Sequence, residues 1–256
     1  MSVNLKTEKD IQKLVESGKI LVRILKALKK EAREGVILSD LDSLAKKMLD
    51  ENKAKAAFFG YTPSGANDGF PGHICASVND QVVHGVPGDY KLRNGDLLKI
   101  DFGVEYKSMI TDAALSVPIG NISDEVDNLS KTTFQALQEA IKVCKPGNHI
   151  GDIGWIVEQT VTERGFSIVK PLGGHGVGFS LHEKPTIYNF GEKGTGLEIT
   201  EGMVLAIEPI TSLGSGDIKN GPQESYITTD GTPSAHSEAT IAVTKNGNKV
   251  LTPWWK

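Results

Sequence analysis

Residues 97–117 read LLKIDFGVEYKSMITDAALSV. Two runs within it, Leu97 to Val104 and Ile110 to Val117, are apolar and β-rich, and the polar stretch Glu105-Tyr106-Lys107-Ser108 between them has the composition of a turn. The segment is expected to fold as a β-hairpin. Each arm carries an aspartate, Asp101 or Asp112, inside a strand, where aspartate is disfavoured. A hairpin symmetric about the Tyr106–Lys107 bond sets the two directly opposite each other, with Cβ atoms ~5 Å apart. Like charges so placed destabilise a sheet unless something positive lies between them. No Lys or Arg of the hairpin combines the right parity with the right reach, so a divalent ion is the simplest partner. For one aspartate alone, a solvent-facing side chain would be the plainer reading; for the pair it is not.

Two glutamates repeat the pattern. Glu208 closes the apolar run from Met203 and precedes Pro209, and Glu238 leads straight into Ala-Thr-Ile-Ala-Val-Thr. A buried carboxylate without a partner is costly or simply protonates. Four of them in four strands point to one shared site. A fifth candidate is His175, flanked by glycines in Gly-Gly-His-Gly-Val-Gly, with His182 seven residues on; glycine lets the backbone approach a ligand or a metal. One imidazole and four carboxylates suit Mn²⁺, Fe²⁺, Co²⁺ or Zn²⁺ rather than a thiolate zinc site. Four negative charges overload one ion and balance two, bridged at ~3.5–4 Å. His73, His149 and His236 are read as ordinary, His236 least firmly because it shares strand parity with Glu238.

Outward from these strands the pattern becomes helical. A long amphipathic helix is expected from Thr7, capped by Thr7 with Asp10 and ended by Gly35; a second opens with Ser39 and Asp42. A third runs from near Ser123 to Lys145, and a fourth from about Ile150 to Arg164. The second and fourth align at an offset of 112, Gly35 with Gly147 and Asp40 with Asp152, which suggests a duplicated helix–helix–strand unit. With further strands at Met203 to Glu208 and Thr240 to Val243, the chain reads as α+β, an antiparallel sheet with helices packed against it.

Composition bounds the rest. The 256 residues are 39% apolar, enough for one large domain. The net charge of −4 does not favour nucleic acid. The first 55 residues hold 13 Lys and Arg against 9 Asp and Glu, a stripe that could touch a ribosome but reads first as a solvated helix face. Cys75 and Cys144 make no disulfide framework, no run approaches the ~18 apolar residues of a membrane span, and no signal peptide is visible. The expected setting is the reducing cytoplasm, with no membrane association and a monomeric chain.

Taken together, the motifs resemble those of the type I methionine aminopeptidases, members of the pita-bread metallohydrolases. They are Asn-Asp-Gln-Val-Val-His-Gly-Val-Pro at 79–87, Gly-Asp-Leu-Leu-Lys-Ile-Asp-Phe-Gly at 95–103, Thr-Asp at 111–112, Gly-His-Gly-Val-Gly-x-x-x-His-Glu-x-Pro at 174–185, Ile-Glu-Pro at 207–209 and His-Ser-Glu-Ala-Thr at 236–240. Each alone is weak; the ordered set covers nearly the whole chain. The resemblance implies a pita-bread fold, with a pseudo-twofold antiparallel sheet under outer helices. It implies one catalytic domain, 1–256, of two pseudo-symmetric halves at about 1–120 and 121–256. Two divalent metal ions would be held by Asp101, Asp112, His175, Glu208 and Glu238. His84 would contact the scissile peptide group and His182 its carbonyl, with a methionine pocket around Cys75 and Phe70, and with Tyr61 or Leu181 in the wall.

The expected reaction is removal of the initiator methionine from nascent proteins and peptides with a small second residue. Glu208 would serve as general base toward a water activated by the ions, and the free α-amino group would bind one ion. The chain's own start, Met1-Ser2, fits that rule. Three positions depart from the family's pattern: Phe179 where Arg is frequent, Ala239 where His often follows the glutamate, and Glu224 near a frequent pocket Trp. Two alternatives stand beside this reading: a sister enzyme of Xaa-Pro specificity, which usually carries an extra N-terminal domain, and a non-catalytic pita-bread binding protein, which typically lacks a metal ligand.

Overall fold

A computed structural model describes residues 3–62 and 68–256; Met1-Ser2 lies outside the described residues. The helices are α1 (Glu8–Glu31), α2 (Leu38–Glu51), α3 (Asp124–Val143) and α4 (Ile150–Thr162). The strands are β1 (Lys55–Ala56), β2 (Cys75–Val78), β3 (Gln81–Val83), β4 (Leu97–Tyr106), β5 (Met109–Pro118), β6 (Ser167–Ile168), β7 (Gly173–Gly176) and β8 (Glu183–Tyr188). They continue with β9 (Val204–Ile207), β10 (Ile210–Ser212), β11 (Ile218–Asn220), β12 (Tyr226–Thr228), β13 (Ser234–His236), β14 (Ala239–Thr244) and β15 (Gly247–Val250).

The long hairpin forms, with a register different from the expected one. Lys107 and Ser108 both have positive φ, 52° and 58°, making the two-residue turn whose twist matches that of the flanking strands. Tyr106 therefore pairs with Met109, Asp101 with Ala114 and Gly103 with Asp112. The hairpin turns one residue later than symmetry about Tyr106–Lys107 requires. Asp101 and Asp112 are diagonal neighbours on one face rather than directly opposed, still within reach of a shared partner. Gly103 fills the place across from Asp112, where a Cβ would lie 2.8 Å from the Phe58 ring.

β4 carries β1 and β2 in tandem on one edge and β5 on the other, while β15-β14-β9-β7-β8 forms a second antiparallel sheet. The two join through Glu238 N–H to Ala114 O at 2.9 Å. The Thr240 hydroxyl adds two bonds to the backbone of Asp112, accepting from its N–H at 2.8 Å and donating to its carbonyl at 2.7 Å. Parity sorts the faces. Ile100, Phe102, Ala113, Leu115, Leu205, Ile207, Ala239 and Ile241 enter the main core with the buried stripes of all four helices. Asp101 and Asp112, of the opposite parity on β4 and β5, and Glu238, just before β14, lie outside that core. This is the pita-bread α+β fold.

The helix pairs repeat bond for bond. Ala32 N–H to Leu28 O matches Cys144 N–H to Ala140 O, Asp40 N–H to Ile37 O matches Asp152 N–H to His149 O, and Ala54 N–H to Leu49 O matches Phe166 N–H to Val161 O, each 112 positions on. The following loop repeats too: Gly35 and Leu38 N–H bond to Leu92 and Tyr90 O, as Gly147 and Ile150 N–H do to Ile199 and Leu197 O. Thr7 and Asp10 form the capping box expected of them. Ser39 and Asp42 do not: α2 begins at Leu38 without a side-chain cap. Asp42 instead accepts from the backbone N–H groups of His73 and Ile74 and pairs with His73 Nδ1 at 2.8 Å. The tertiary use of the carboxylate outcompetes the local cap.

Candidate metal centre and adjoining pocket

Five strands contribute to one site. Asp101 comes from β4, Asp112 from β5, His175 from β7, Glu208 from the residue after β9 and Glu238 from the residue before β14. Ligand atoms of Asp112, His175 and Glu238 lie within 4.8 Å of one another, and His175 Nε2 is 3.6 Å from Glu208 Oε1. Asp112 and Glu238 are only 3% and 2% exposed. Burial pushes the Asp101, Glu208 and Glu238 carboxyls well above the ordinary range, and the neighbouring carboxylates push them further. Asp112 is raised to about 7, chiefly by burial. Asp101 Oδ1 and Glu238 Oε1 are buried with no hydrogen-bond partner among the described residues.

These features fit a divalent cation and little else. Orphaned oxygens of crowded, buried carboxylates are unfavourable until a cation lies among them. His175 is oriented for the same task. Its Nδ1–H donates to Gly176 O at 2.9 Å, which leaves the Nε2 lone pair facing the carboxylates. Lys99 is fully buried and has the parity of Asp101, yet its Nζ reaches back to Asn79 O at 2.6 Å instead of the carboxylates. The glycines beside His175 serve the sheet rather than a ligand: a Cβ on Gly174 would lie 2.2 Å from Ala206 O.

The charge crowding sets a pH dependence. A carboxyl whose folded pKa is raised contributes stability below its unfolded value, and that contribution is lost as pH rises through the folded value. For Asp112 the window runs from 3.8 to about 7. Asp230, and Glu183 despite its burial, are lowered by their hydrogen bonds and so act at the acid end; buried His175 and His236, lowered to about 4 and about 3, oppose the trend up to 6.5 but are outnumbered by the four raised carboxyls. Chelator-treated protein should therefore melt at lower temperature at pH 8 than at pH 5, and Mn²⁺ should raise the melting temperature more at pH 8. Thermal scans at both pH values test this; an apo stability that rises over the interval would contradict the cluster.

A small apolar cluster adjoins the carboxylates. Cys75 pairs with Asp101 across β2 and β4 and packs with Phe58 and Leu181, against which Tyr61 and Phe70 lie. Burial, then the charges of Asp101, Asp112 and Glu238, drive the Cys75 thiol up, so it stays a neutral apolar surface. Phe58 was not singled out in the sequence; a run of aromatics at 58, 59 and 61 was the available signal. His182 stands exposed at the rim, with its ring 4.4 Å from that of His175 and Nδ1 2.7 Å from the Tyr61 hydroxyl. His84 is also exposed, at φ +59°, a conformation an L residue adopts at a cost. Its ring is 5.8 Å from that of Tyr226.

The three departures have structural answers. Phe179 lies under the Lys6 ammonium, 5.1 Å from it. Lys6 pairs with Glu183 at 2.5 Å, fully buried, while Glu183 also accepts from the N–H groups of Phe179 and Ser180. A cation from the N-terminal segment thus clamps the loop that carries Leu181 and His182. Ala239 packs in the main core, on the face opposite Glu238. Glu224 is exposed on a short turn, and Tyr226 supplies the nearby ring. Trp254, packed with Trp255 on Phe134 of α3, donates its Nε1–H to Glu238 O at 2.8 Å, so the C-terminal pair supports a site residue as well as the tail. His149 caps α4 and His73 is held by Asp42. His236, read as ordinary, is 1% exposed and has Nε2 3.4 Å from Glu208 Oε2.

Comparison with known proteins agrees with this geometry. Residues 12–245 match metallopeptidase family M24. The methionine aminopeptidase of Clostridium perfringens is 39% identical over 97% of this chain and 98% of its own, and methionine aminopeptidase 1 of Bacillus subtilis is 36% identical over 96% and 98%. The crystal structure of the Thermotoga maritima methionine aminopeptidase superposes with TM-score 0.94 at 35% identity, over 98% of this chain and 99% of that one. A prolidase of Pyrococcus horikoshii shares the fold at TM-score 0.76 and 24% identity, over 97% of this chain and 63% of the prolidase. With carboxylates, imidazole and apolar wall assembled on this fold, the chain belongs to metallopeptidase family M24, among its methionine aminopeptidases.

Proposed function

We propose that this chain is a metal-dependent aminopeptidase that removes the N-terminal methionine from peptides and nascent proteins. The observation that carries the reading is a group of buried carboxylates with orphaned oxygens beside an apolar cluster of Cys75, Phe58, Leu181 and Phe70. Asp101, Asp112, His175, Glu208 and Glu238 would hold two divalent ions, which would supply the Lewis acidity that activates water and polarises the scissile carbonyl. Glu208 takes the proton from the attacking water and delivers it to the departing amine. His182, steadied by Tyr61, donates to the carbonyl oxygen as charge develops on it. His84 meets the peptide nitrogen from the opposite rim. The pocket accepts an unbranched apolar side chain, and Cys75 offers it a soft neutral surface.

In this reading residues 1–256 are one catalytic unit of two related halves, supported by hydrogen bonds that recur 112 positions apart. No helix among the described residues is long and apolar enough to cross a membrane, and both cysteines are free and buried. Work as a monomer in the cytoplasm, on chain ends as they leave the ribosome, is part of the same proposal. The identities favour methionine over Xaa-Pro specificity, 35% for the Thermotoga enzyme against 24% for the prolidase.

The deciding experiment is release of free methionine from Met-Ala-Ser by metal-stripped protein titrated with Mn²⁺ and with Co²⁺, alongside N-formyl-Met-Ala-Ser and an Xaa-Pro dipeptide. Metal-dependent release from the free-amine peptide alone is expected. Cleavage of the Xaa-Pro dipeptide instead would assign the sister specificity, and tight metal binding without cleavage of either would leave a binding protein.

A further inference from the structure

We infer that His236 is the positioning residue of Glu208, holding one oxygen of the base by an Nε2–H hydrogen bond and leaving the other for chemistry. The inference rests on the reading of Glu208 as the base.

His236 is fixed before its ring is considered. It ends β13, pairs with Ile210 of β10, and has both backbone groups bound by a single hydroxyl. Ser116 Oγ donates to His236 O at 2.9 Å and accepts from His236 N–H at 3.0 Å. Its side chain is 2% exposed, and neither ring nitrogen has a hydrogen-bond partner among the described residues. A buried imidazole without partners is costly, so such a group calls for an explanation. The group facing its Nε2 is Glu208 Oε2, 3.4 Å away.

The carboxylate of Glu208 is thus set between two imidazoles that are not equivalent. On Oε1 stands His175 Nε2 at 3.6 Å, a lone pair, because the His175 proton is committed to Gly176 O. Lone pair against carboxylate is repulsive unless a cation lies between them. On Oε2 stands His236, free to choose its tautomer. With the proton on Nδ1, both nitrogens stay unsatisfied and a second lone pair faces Glu208. With the proton on Nε2, one bond forms as Glu208 turns slightly toward it. Contacts of this kind are often long in an unliganded site and tighten when it is loaded. The backbone carbonyl of Glu208 is held separately, by Asn189 Nδ2 at 2.9 Å, so His236 is the donor aimed at the carboxylate itself.

The test uses wild type, His236→Gln and His236→Leu. Gln keeps an N–H donor near the position of Nε2; Leu keeps bulk alone. Each is measured for kcat and KM on Met-Ala-Ser at saturating Mn²⁺, for Mn²⁺ binding by calorimetry on the stripped protein, and for melting temperature. In the Leu variant kcat should fall ~10–100-fold, the usual range for the partner of a site residue, with KM changed less than about threefold and the Mn²⁺ stoichiometry of wild type. The Gln variant should recover kcat to within roughly threefold of wild type. A Leu variant as fast as wild type overturns the inference. So does a Gln variant as slow as Leu, whether Mn²⁺ binding is full or reduced by one ion; the latter would make His236 a ligand. Wild type without metal-dependent release would remove the aminopeptidase reading and this inference together, whereas an active wild type with unresponsive variants removes the inference alone.

Discussion

Glu208→Gln is expected to lower kcat for Met-Ala-Ser release by about 10³-fold, within the 10²–10⁴ range typical of general acid–base groups, while the chain stays folded. The substitution is nearly isosteric, and the surroundings can accept it. An amide oxygen can face His236 and an amide N–H₂ can face the His175 Nε2 lone pair, both within 3.6 Å of the present carboxylate oxygens. What the amide cannot do is take a proton from water. It also removes a buried charge that burial and the charges of Asp101 and Asp112 hold well above the ordinary carboxylate range, so the metal-free variant should melt no lower than wild type at pH 8. Because Glu208 is also assigned to metal binding, the comparison must be made with bound Mn²⁺ quantified. A loss of kcat at matched occupancy, with KM changed only a few-fold, marks an interaction made in the transition state. A variant that turns over at the wild-type rate would refute Glu208 as the base.

Residue-level legibility divides along a physical line. Asp101, Asp112, Glu208 and Glu238 stood out because a charge inside an apolar strand violates a local rule, and such violations survive in folded proteins where something compensates them. The caps of α1 and α3, at Thr7 and Ser123, were legible because their partners lie within three residues. The register of the hairpin was not. It turns on which two residues adopt positive φ, and Lys107 and Ser108 carry no Asn-Gly or Asp-Gly signature to announce it. The cap at Ser39 and Asp42 failed because Asp42 binds His73 and Ile74, more than thirty residues away, a tertiary choice that no window of sequence displays. His236 was passed over for the same reason. A histidine two residues before a candidate ligand is ambiguous until Ser116 and Glu208 are seen on either side of it. Lys6 gave no signal at all; its partner Glu183 lies 177 positions on.

Asp101→Asn is expected to act in opposite directions on stability and on function. Asp101 is held well above its ordinary pKa, first by burial and then by Asp112, with only the Phe102 backbone N–H to favour its charge. Its Oδ1 has no partner among the described residues. In the metal-free protein at pH 8, the asparagine removes a like charge from the cluster, keeps an oxygen for Phe102, and offers N–H groups to the neighbouring carboxylates. A rise of roughly 5 °C in melting temperature is expected there, the scale of one unfavourable buried charge removed from a chain of this size. At pH 5 the raised pKa leaves less charge on the wild-type carboxyl, so the gain should shrink. With Mn²⁺ the order reverses. A ligating carboxylate has become a neutral amide, the Mn²⁺-dependent rise in melting temperature should largely vanish, and methionine release should fall at least 10²-fold with it. Stability that is gained without metal and lost with it is the signature of a carboxylate kept for a cation. If the apo variant instead melted lower at pH 8, the charge on Asp101 would be favourable by its own surroundings, and the buried cluster would have to be explained without an ion.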